Sequence, residues 1–250
     1  MSLRSNNPGL PAFVLVHGAW HGGWCWRIVA DRLRRLGHRV ITPTCTGLGD
    51  RAHLMSSTIT LDTFTQDVMA AIEMEELQDI VLVGHSFGGL PASGVADRMP
   101  ERIRALLFLD SLLIQPGQCA FDALTPETQA ARHAAAAPGG GLSLPVPSAT
   151  ALGVTGPEAA WLARRLTPHP LSTFTSPLRL QSPVGHHIPV TYIACTDPPY
   201  PPLDGVRHWA RAQSGWAWRE LAASHDAMVT HPERLTDLLL ELSQSVKAAS

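Results

Sequence analysis

Residues 79–89 read DIVLVGHSFGG, and this stretch decides the fold. A short uninterrupted apolar run is typical of a buried strand in a parallel sheet, and residues 90–98 after the turn are compatible with a helix. Gly84 and Gly88 flank Ser86 in the turn, where side chains would collide with neighbouring backbone. Such a strand–turn–helix holds a serine hydroxyl above the edge of the sheet and in front of a helix N-terminus. We therefore interpret Ser86 as a nucleophile; a glycine-rich turn that only holds a small residue is the alternative.

Short β-branched runs alternate with amphipathic helical patterns along most of the chain. This alternation predicts an α/β fold, with a mostly parallel sheet and helices on both of its faces. The expected strands are residues 13–17, 39–42, 80–83, 105–109, 190–195 and 216–221, and the expected helices are residues 24–36, 61–74, 88–98 and 234–246.

Residues 112–187 interrupt this alternation. Pro and Gly recur there, and no clear strand is evident, which is typical of a cap or lid inserted between two strands. A disordered linker is the alternative. The helical pattern at residues 161–166 would need burial and favours the lid. We expect an α/β core of residues 1–111 and 188–250 and a lid of residues 112–187.

Composition narrows the class of partner. The chain has 250 residues, 45% hydrophobic residues and a formal net charge of −2, so it has no electrostatic attraction to nucleic acid or anionic membranes. A small molecule is the expected partner. No apolar run approaches the roughly 20 residues of a membrane span, and residues 1–11 lack the apolar region of a signal peptide.

The four cysteines are widely spaced and form no CxxC pair. This spacing argues against a metal knuckle or a disulfide framework and fits a reducing compartment. His17 and His21 have a four-residue separation that binds metal on a helix face, but a glycine-rich turn does not provide such a face. We expect a cytoplasmic protein without metal or cofactor, and a homodimer is compatible with the sequence.

A serine nucleophile needs a base, and histidine supplies it in most such sites. In this type of fold the order along the chain is serine, acid, histidine. His225 fits, because it follows the last expected strand and precedes the last helix. His231 lies on the approach to that helix and is a weaker candidate, while His186 and His187 precede a strand and so lie at its wrong end.

An acid must orient the histidine from the same edge of the sheet. Asp197 directly follows the strand at residues 190–195 and is the preferred candidate. Asp204 lies further along the same loop, and Asp110 ends an earlier strand; both stay open as alternatives.

Two backbone N–H groups usually stabilise the oxyanion of acyl transfer. One belongs to the residue after the nucleophile, here Phe87. The other is expected from the loop after the first strand, where Gly18 lets the backbone approach a ligand and leaves the Ala19 N–H as donor.

Three segments together resemble a known family: VHGAWHGGWCW at residues 16–26, GHSFGG at residues 84–89 and SHDAM at residues 224–228. They are similar to the methyl-esterase and hydroxynitrile-lyase family of α/β-hydrolases, and to its bacterial salicylate-esterase-like and carbamate-hydrolysing branch. The resemblance implies the α/β-hydrolase fold and a serine esterase, with the triad Ser86, Asp197 and His225 and the oxyanion donors Ala19 and Phe87. Prolines replace the family's usual sequence after the acid.

The lyases of that family carry Thr or Asn where this chain has Gly18, and some place a lysine directly after the catalytic histidine. Here that position is Asp226, whose carboxylate is expected to repel departing cyanide, and the only lysine is Lys247. An esterase is therefore preferred to a hydroxynitrile lyase. A non-catalytic receptor and a cofactor-free oxygenase on the same fold are further alternatives.

The substrate pocket is expected between the serine turn and the lid, with Gly18, Trp20, Phe87, Leu112 and Phe121 as candidate lining residues. Such a cavity would be mostly apolar and would suit small to medium aryl or alkyl esters. Seven charged residues lie within residues 112–187, none of them a lysine, so a strongly anionic substrate is not favoured. Carbamates and activated amides would use the same machinery.

Overall fold

The computed structural model describes residues 9–245. Its main sheet has six strands in the order β2-β1-β3-β4-β7-β8, and every neighbouring pair is parallel. The strands are β1 (Ala12–Val16), β2 (Val40–Ile41), β3 (Ile80–His85), β4 (Ile103–Leu109), β5 (Ser143–Leu144), β6 (His169–Pro170), β7 (Val190–Cys195) and β8 (Ala217–Leu221). All six predicted strands are confirmed, and β5 and β6 form a separate antiparallel pair.

The helices are α1 (Arg27–Arg35), α2 (Leu61–Met74), α3 (Gly89–Arg98), α4 (Pro126–Ala136), α5 (Pro157–Ala163), α6 (Ser172–Thr175), α7 (Asp204–Arg211), α8 (Ala227–Thr230) and α9 (Pro232–Ser245). The four predicted helices are confirmed as α1, α2, α3 and α9. Helix α2 begins where the Thr60 side chain caps the Thr63 N–H. Helix α7 was not expected; it has eight residues, and its apolar face consists of Val206, Trp209 and Ala210 alone.

Both faces of the sheet are buried under helices. Side chains alternate along a strand, so Val81 and Val83 of β3 belong to the core shared with α1 and α9. Ile80 and Leu82 point the other way and belong to the core shared with α2 and α3. Burial on both faces explains why β3 is an unbroken apolar run in the sequence.

Residues 112–187 connect β4 to β7, which are neighbours in the sheet. The segment contains α4, α5, α6 and the β5–β6 pair, and the helix expected at residues 161–166 is α5, which begins earlier. Leu162 of α5 is fully buried, and Phe174 of α6 packs against Phe87 beside the serine turn. The segment is therefore folded against the rest of the chain, while its separate status as a lid stays a prediction.

Within residues 9–245, no helix is both long and apolar enough to cross a membrane. All four cysteines are free thiols. The prediction about a signal peptide concerns residues 1–11, which lie only partly within residues 9–245, and Lys247 lies outside them.

Candidate active site

The turn at Ser86 has the strained geometry that the sequence predicts. Ser86 has a φ of 52°, in the left-handed region that non-glycine residues rarely adopt. A Cβ on Gly84 would lie 2.8 Å from the Gly88 carbonyl oxygen, and a Cβ on Gly88 would lie 2.5 Å from the His17 carbonyl oxygen. Both positions therefore require glycine.

His225 lies between Ser86 and a carboxylate and contacts both. Its Nε2 lies 3.0 Å from Ser86 Oγ, and its Nδ1 lies 2.7 Å from Asp110 Oδ2. A carboxylate only accepts, so Nδ1 carries the proton and Nε2 is left to accept from the serine hydroxyl. Asp110 is fully buried and His225 is nearly so, which excludes water from the contact between these two residues.

The carboxylate beside His225 is that of Asp110, and the preference for Asp197 is corrected. Asp110 directly follows β4, the neighbour of β3, and so lies at the same sheet edge as Ser86. Asp197 follows β7, one strand further from the serine, and is exposed. Asp204 lies in α7 with an exposed side chain. The sequence left Asp110 open but ranked it below the other two.

Asp110 is also held by Arg207 of α7, a residue that the sequence reasoning missed. The guanidinium Nε and Nη2 lie 3.0 and 2.8 Å from Asp110 Oδ1, and Nη2 lies 3.0 Å from Oδ2. Burial would lower the pKa of Arg207, but the carboxylate outweighs burial and the pKa is raised. The Arg207 cation thus compensates the charge of the buried carboxylate and fixes its orientation.

The loop after β1 approaches the serine closely. A Cβ on Gly18 would lie 2.9 Å from Ser86 Cβ, so this glycine packs against the turn and does not line the cavity as expected. Among the described residues, none accepts a hydrogen bond from the Ala19 N–H. Ala19 and Phe87 both line the cavity above Ser86, in agreement with a role as oxyanion donors, which stays a prediction.

A narrow cavity of about 50 Å³ opens above Ser86. Of the expected lining residues it contains Trp20, Phe87 and Leu112, whereas Phe121 packs behind Phe174 with ring centroids 5.7 Å apart. The remaining lining residues, which the sequence did not identify, are Leu124, Arg132, Phe174, Tyr200, Pro202 and Leu203. The Tyr200 ring stacks on that of His225, with centroids 4.1 Å apart.

A family model described as "Alpha/beta hydrolase family" matches residues 13–238, which include Ser86, Asp110 and His225 and all of the main sheet except its first residue, Ala12. The chain belongs to this family. It is 40% identical over 245 residues to a carbendazim hydrolyzing esterase of Nocardioides sp. (strain SG-4G), covering 92% of this chain and 98% of that protein. It is 37% identical over 102 residues to methylesterase 9 of Arabidopsis thaliana, covering 40% of each chain.

The fold is also found in solved structures. A Paenibacillus extracellular alpha/beta-hydrolase, described as homologous to tobacco salicylic acid binding protein 2, superposes with a TM-score of 0.80 at 24% identity over 92% of this chain and 98% of that one. A pyrethroid hydrolase from Sphingobium faniae gives a TM-score of 0.71 at 23% identity, over 94% and 98% of the two chains. The predicted resemblance to the methyl-esterase and hydroxynitrile-lyase family of α/β-hydrolases is confirmed by these relatives.

In this hydrolase, a buried ion pair supports the loop after β1. His21 Nε2 lies 3.0 Å from Asp226 Oδ2, and His21 Nδ1 lies 2.7 Å from the Ala19 carbonyl oxygen. Burial opposes the charged forms of both side chains, but their mutual attraction prevails: the pKa of His21 is raised and that of Asp226 is lowered. Both ring nitrogens of His21 therefore donate, and the Ala19 peptide is fixed.

This pair corrects an expectation about Asp226. Its carboxylate is fully buried, bonds His21 and does not line the cavity. Departing cyanide would therefore not meet this carboxylate, and the sequence contrast with the lyases rests on Gly18 and on the absence of a lysine at position 226.

Two other histidines stay neutral beside the serine turn. Burial lowers the pKa of His17 to about 4 and that of His85 to about 3. His17 Nδ1 lies 2.8 Å from the Gly18 carbonyl oxygen, and its Nε2 accepts from the Cys45 N–H at 3.1 Å. His85 Nε2 donates to the His225 carbonyl oxygen at 3.0 Å. Both rings thus hold backbone in place, as expected for structural histidines.

His169 performs the same task from residues 112–187. Its Nδ1 accepts from the Trp20 N–H at 3.3 Å, and its Nε2 donates to Thr173 Oγ1 at 2.8 Å. Burial lowers the pKa of His169, in agreement with a neutral ring. Trp20 has a φ of 65°, so His169 helps to hold a strained residue beside the cavity.

The neutral histidines predict that the protein loses stability in mild acid. Their folded-state pKa values lie below the unfolded value of 6.5, so below pH 6.5 the unfolded chain binds protons that the folded chain does not. Each should lower the free energy of unfolding by up to about 1.4 kcal/mol per pH unit as the pH falls. Urea denaturation at pH 6 and pH 5 measures this slope.

His17→Gln should reduce the slope by up to about 1.4 kcal/mol per pH unit, whereas the same substitution at the exposed His53 should leave it unchanged. An unchanged slope in His17→Gln would show that His17 takes up its proton in the folded state. The raised pKa of His21 acts in the opposite sense, because its stabilisation is present below pH 6.5 and is lost as the pH rises through the folded-state value.

One trio within residues 9–245 has the spacing of a metal site: His85, His225 and Asp226 offer ligand atoms within 4.8 Å of one another. Both nitrogens of His225 already contact Ser86 and Asp110, and His85 Nε2 donates to a carbonyl. Metal binding would break the serine–histidine contact, so the trio fits a hydrogen-bonded site better than a metal centre.

Proposed function

We propose that the chain is a serine carboxylic ester hydrolase that acts on small to medium, largely apolar esters. The observation that carries this proposal is the continuous contact from Ser86 Oγ through His225 to the buried Asp110. In such a constellation the imidazole takes the serine proton and the carboxylate holds it in the required tautomer.

The reaction proceeds in two halves. Ser86 Oγ attacks the ester carbonyl carbon while its proton passes to His225 Nε2, and Asp110 stabilises the resulting imidazolium. The N–H groups of Ala19 and Phe87 stabilise the tetrahedral oxyanion. It collapses to an acyl-serine as the alcohol leaves with the proton from His225. Water then attacks the acyl group with His225 as base, which releases the acid and restores Ser86.

The relatives support the same reaction class, since one is named a carbendazim hydrolyzing esterase and others are named methylesterases. The cavity favours small substrates: its volume of about 50 Å³ lies well below the roughly 300 to 1,000 Å³ of most ligand pockets. A larger aryl ester would require the walls from residues 112–187 to move. A cytoplasmic location and a homodimer remain part of the proposal.

Active-site labelling tests the proposal. A serine-directed fluorophosphonate should add one adduct per chain by intact mass, peptide mapping should place it on Ser86, and turnover of p-nitrophenyl butyrate should fall in parallel. Prior unfolding in urea should prevent labelling, since the reaction needs His225. Full turnover in a chain fully labelled at Ser86, or labelling of another serine in step with inactivation, would refute the assignment.

A further inference from the structure

Arg132 of α4 is the one arginine or lysine among the cavity-lining residues at 9–245. It shares the cavity with Ser86 and otherwise mostly apolar side chains. The guanidinium carbon lies 4.7 Å from the centroid of the Phe174 ring. This cation–π contact holds the guanidinium at the wall of the cavity, which Phe174 also lines.

The guanidinium forms no hydrogen bond and no ion pair with the other residues at 9–245. Its Nη1 is buried without a hydrogen bond, and no carboxylate lies within 4.0 Å of its nitrogens. Arg207 provides the contrast, because a similarly placed guanidinium there pairs with Asp110 through two nitrogens. Burial lowers the pKa of Arg132, and Tyr200 opposes this shift only in part.

A buried donor without an acceptor destabilises the folded chain, and a buried cation without an anion does so more strongly. A site that is built to bond a polar group of its ligand is left with such an unpaired group when the ligand is absent. Arginine presents a planar fork of N–H donors that matches the two oxygens of a carboxylate. The cavity therefore contains a reactive serine and, in its wall, a guanidinium whose N–H donors can bind a carboxylate.

We propose that Arg132 binds a carboxylate of the substrate, so that the preferred esters have an apolar body, an ester group at Ser86 and a free carboxylate at Arg132. This inference rests on the proposed esterase function. It revises the expectation from composition that an anionic substrate is not favoured. The count of charged residues in residues 112–187 did not reveal that one arginine faces the cavity.

A matched pair of esters tests the proposal: mono-p-nitrophenyl glutarate and p-nitrophenyl 5-methylhexanoate, in which an isopropyl group replaces the carboxylate. We expect the ratio of their kcat/KM values, glutarate over methylhexanoate, to fall roughly 10- to 100-fold in Arg132→Met, since one charged hydrogen-bonded pair is lost. Arg132→Lys should give an intermediate ratio, because a lysine keeps the charge but not the fork.

Arg165→Met is the matched control. Arg165 follows α5, stacks on Trp161 at 4.5 Å, donates to the Trp161 carbonyl oxygen and does not line the cavity. In Arg165→Met, the ratio of the kcat/KM values for the two esters should equal that of the unmodified chain. Arg132→Gln provides a second variant if Arg132→Met does not fold, and it should lower the ratio in the same direction.

The outcomes separate this inference from the proposed function. An unchanged ratio in Arg132→Met and Arg132→Gln, an equal fall in Arg165→Met, or hydrolysis of the methylhexanoate alone by the unmodified chain would each overturn the role of Arg132 and leave the esterase intact. Hydrolysis of both esters that survives Ser86→Ala would instead overturn the esterase proposal, and the inference with it.

Discussion

Asp110→Asn should lower kcat for ester hydrolysis by about 10⁴-fold, with a much smaller change in KM. An amide at this position can present its N–H₂ to the imidazole and so favour the tautomer in which Nε2 carries the proton. That tautomer cannot accept from Ser86 Oγ, which lies 3.0 Å from Nε2. The amide also no longer stabilises the imidazolium that forms during attack. Steady-state kinetics with p-nitrophenyl butyrate measures the loss.

Asp197→Asn is the matched control, because Asp197 carries the same side chain at the end of the neighbouring strand β7 and is exposed. It should keep nearly the activity of the unmodified chain. Urea denaturation of both variants checks that the fold is retained, since Arg207 also binds Asp110. If Asp197→Asn lost activity and Asp110→Asn did not, the acid of the triad would have to be reassigned.

Ser86→Ala should lower kcat by about 10⁶-fold, the largest effect that we expect of any single substitution. No acyl-serine can form without the hydroxyl, and only water attack assisted by the oxyanion donors remains. Because the three residues act as a unit, adding Asp110→Asn to Ser86→Ala should cause little further loss. Rates near the detection limit are best measured with enough enzyme to follow a single turnover.

Ser93→Ala is the matched control for the nucleophile. Ser93 lies in α3 just beyond the turn, is buried and donates to the Gly89 carbonyl oxygen at 2.7 Å. Its loss should affect stability slightly and leave kcat close to that of the unmodified chain. A fully additive second loss in the Ser86→Ala and Asp110→Asn double variant would contradict the view that the residues act together.

Much of this architecture could be predicted from local sequence. The central strands β1, β3, β4 and β7 are short, largely apolar runs, and the turn at Ser86 needs glycines at two fixed positions, so both leave a signal within a few residues. His225 could be predicted to lie near Ser86 because the residues just before and after it indicate that it follows the last strand and precedes the last helix. The confirmed features are those in which neighbours in the sequence determine the geometry.

The acid could not be ranked in this way. Asp110 and Asp197 both follow a strand, and both lie between serine and histidine in the chain, so order alone does not separate them. The distinction comes from the sheet, in which β4 and not β7 is the neighbour of β3. Arg132 and Arg207 were missed for a related reason: each lies on a helix with few buried residues, and its partner or cavity is distant in sequence.

Because Asp110 directly follows β4, the loop after β7 does not have to supply the acid beside His225. Tyr200, Pro202 and Leu203 of that loop instead form part of the cavity wall. Tyr200 stacks on His225, so within this loop it is variation at Pro202 and Leu203 that can change which acyl or alcohol group is accepted while the proton-transfer chain stays intact. For directed evolution, this separates a variable selectivity module from a fixed reaction centre, and libraries restricted to residues 202 and 203 should yield altered substrate preference more often than inactive enzyme.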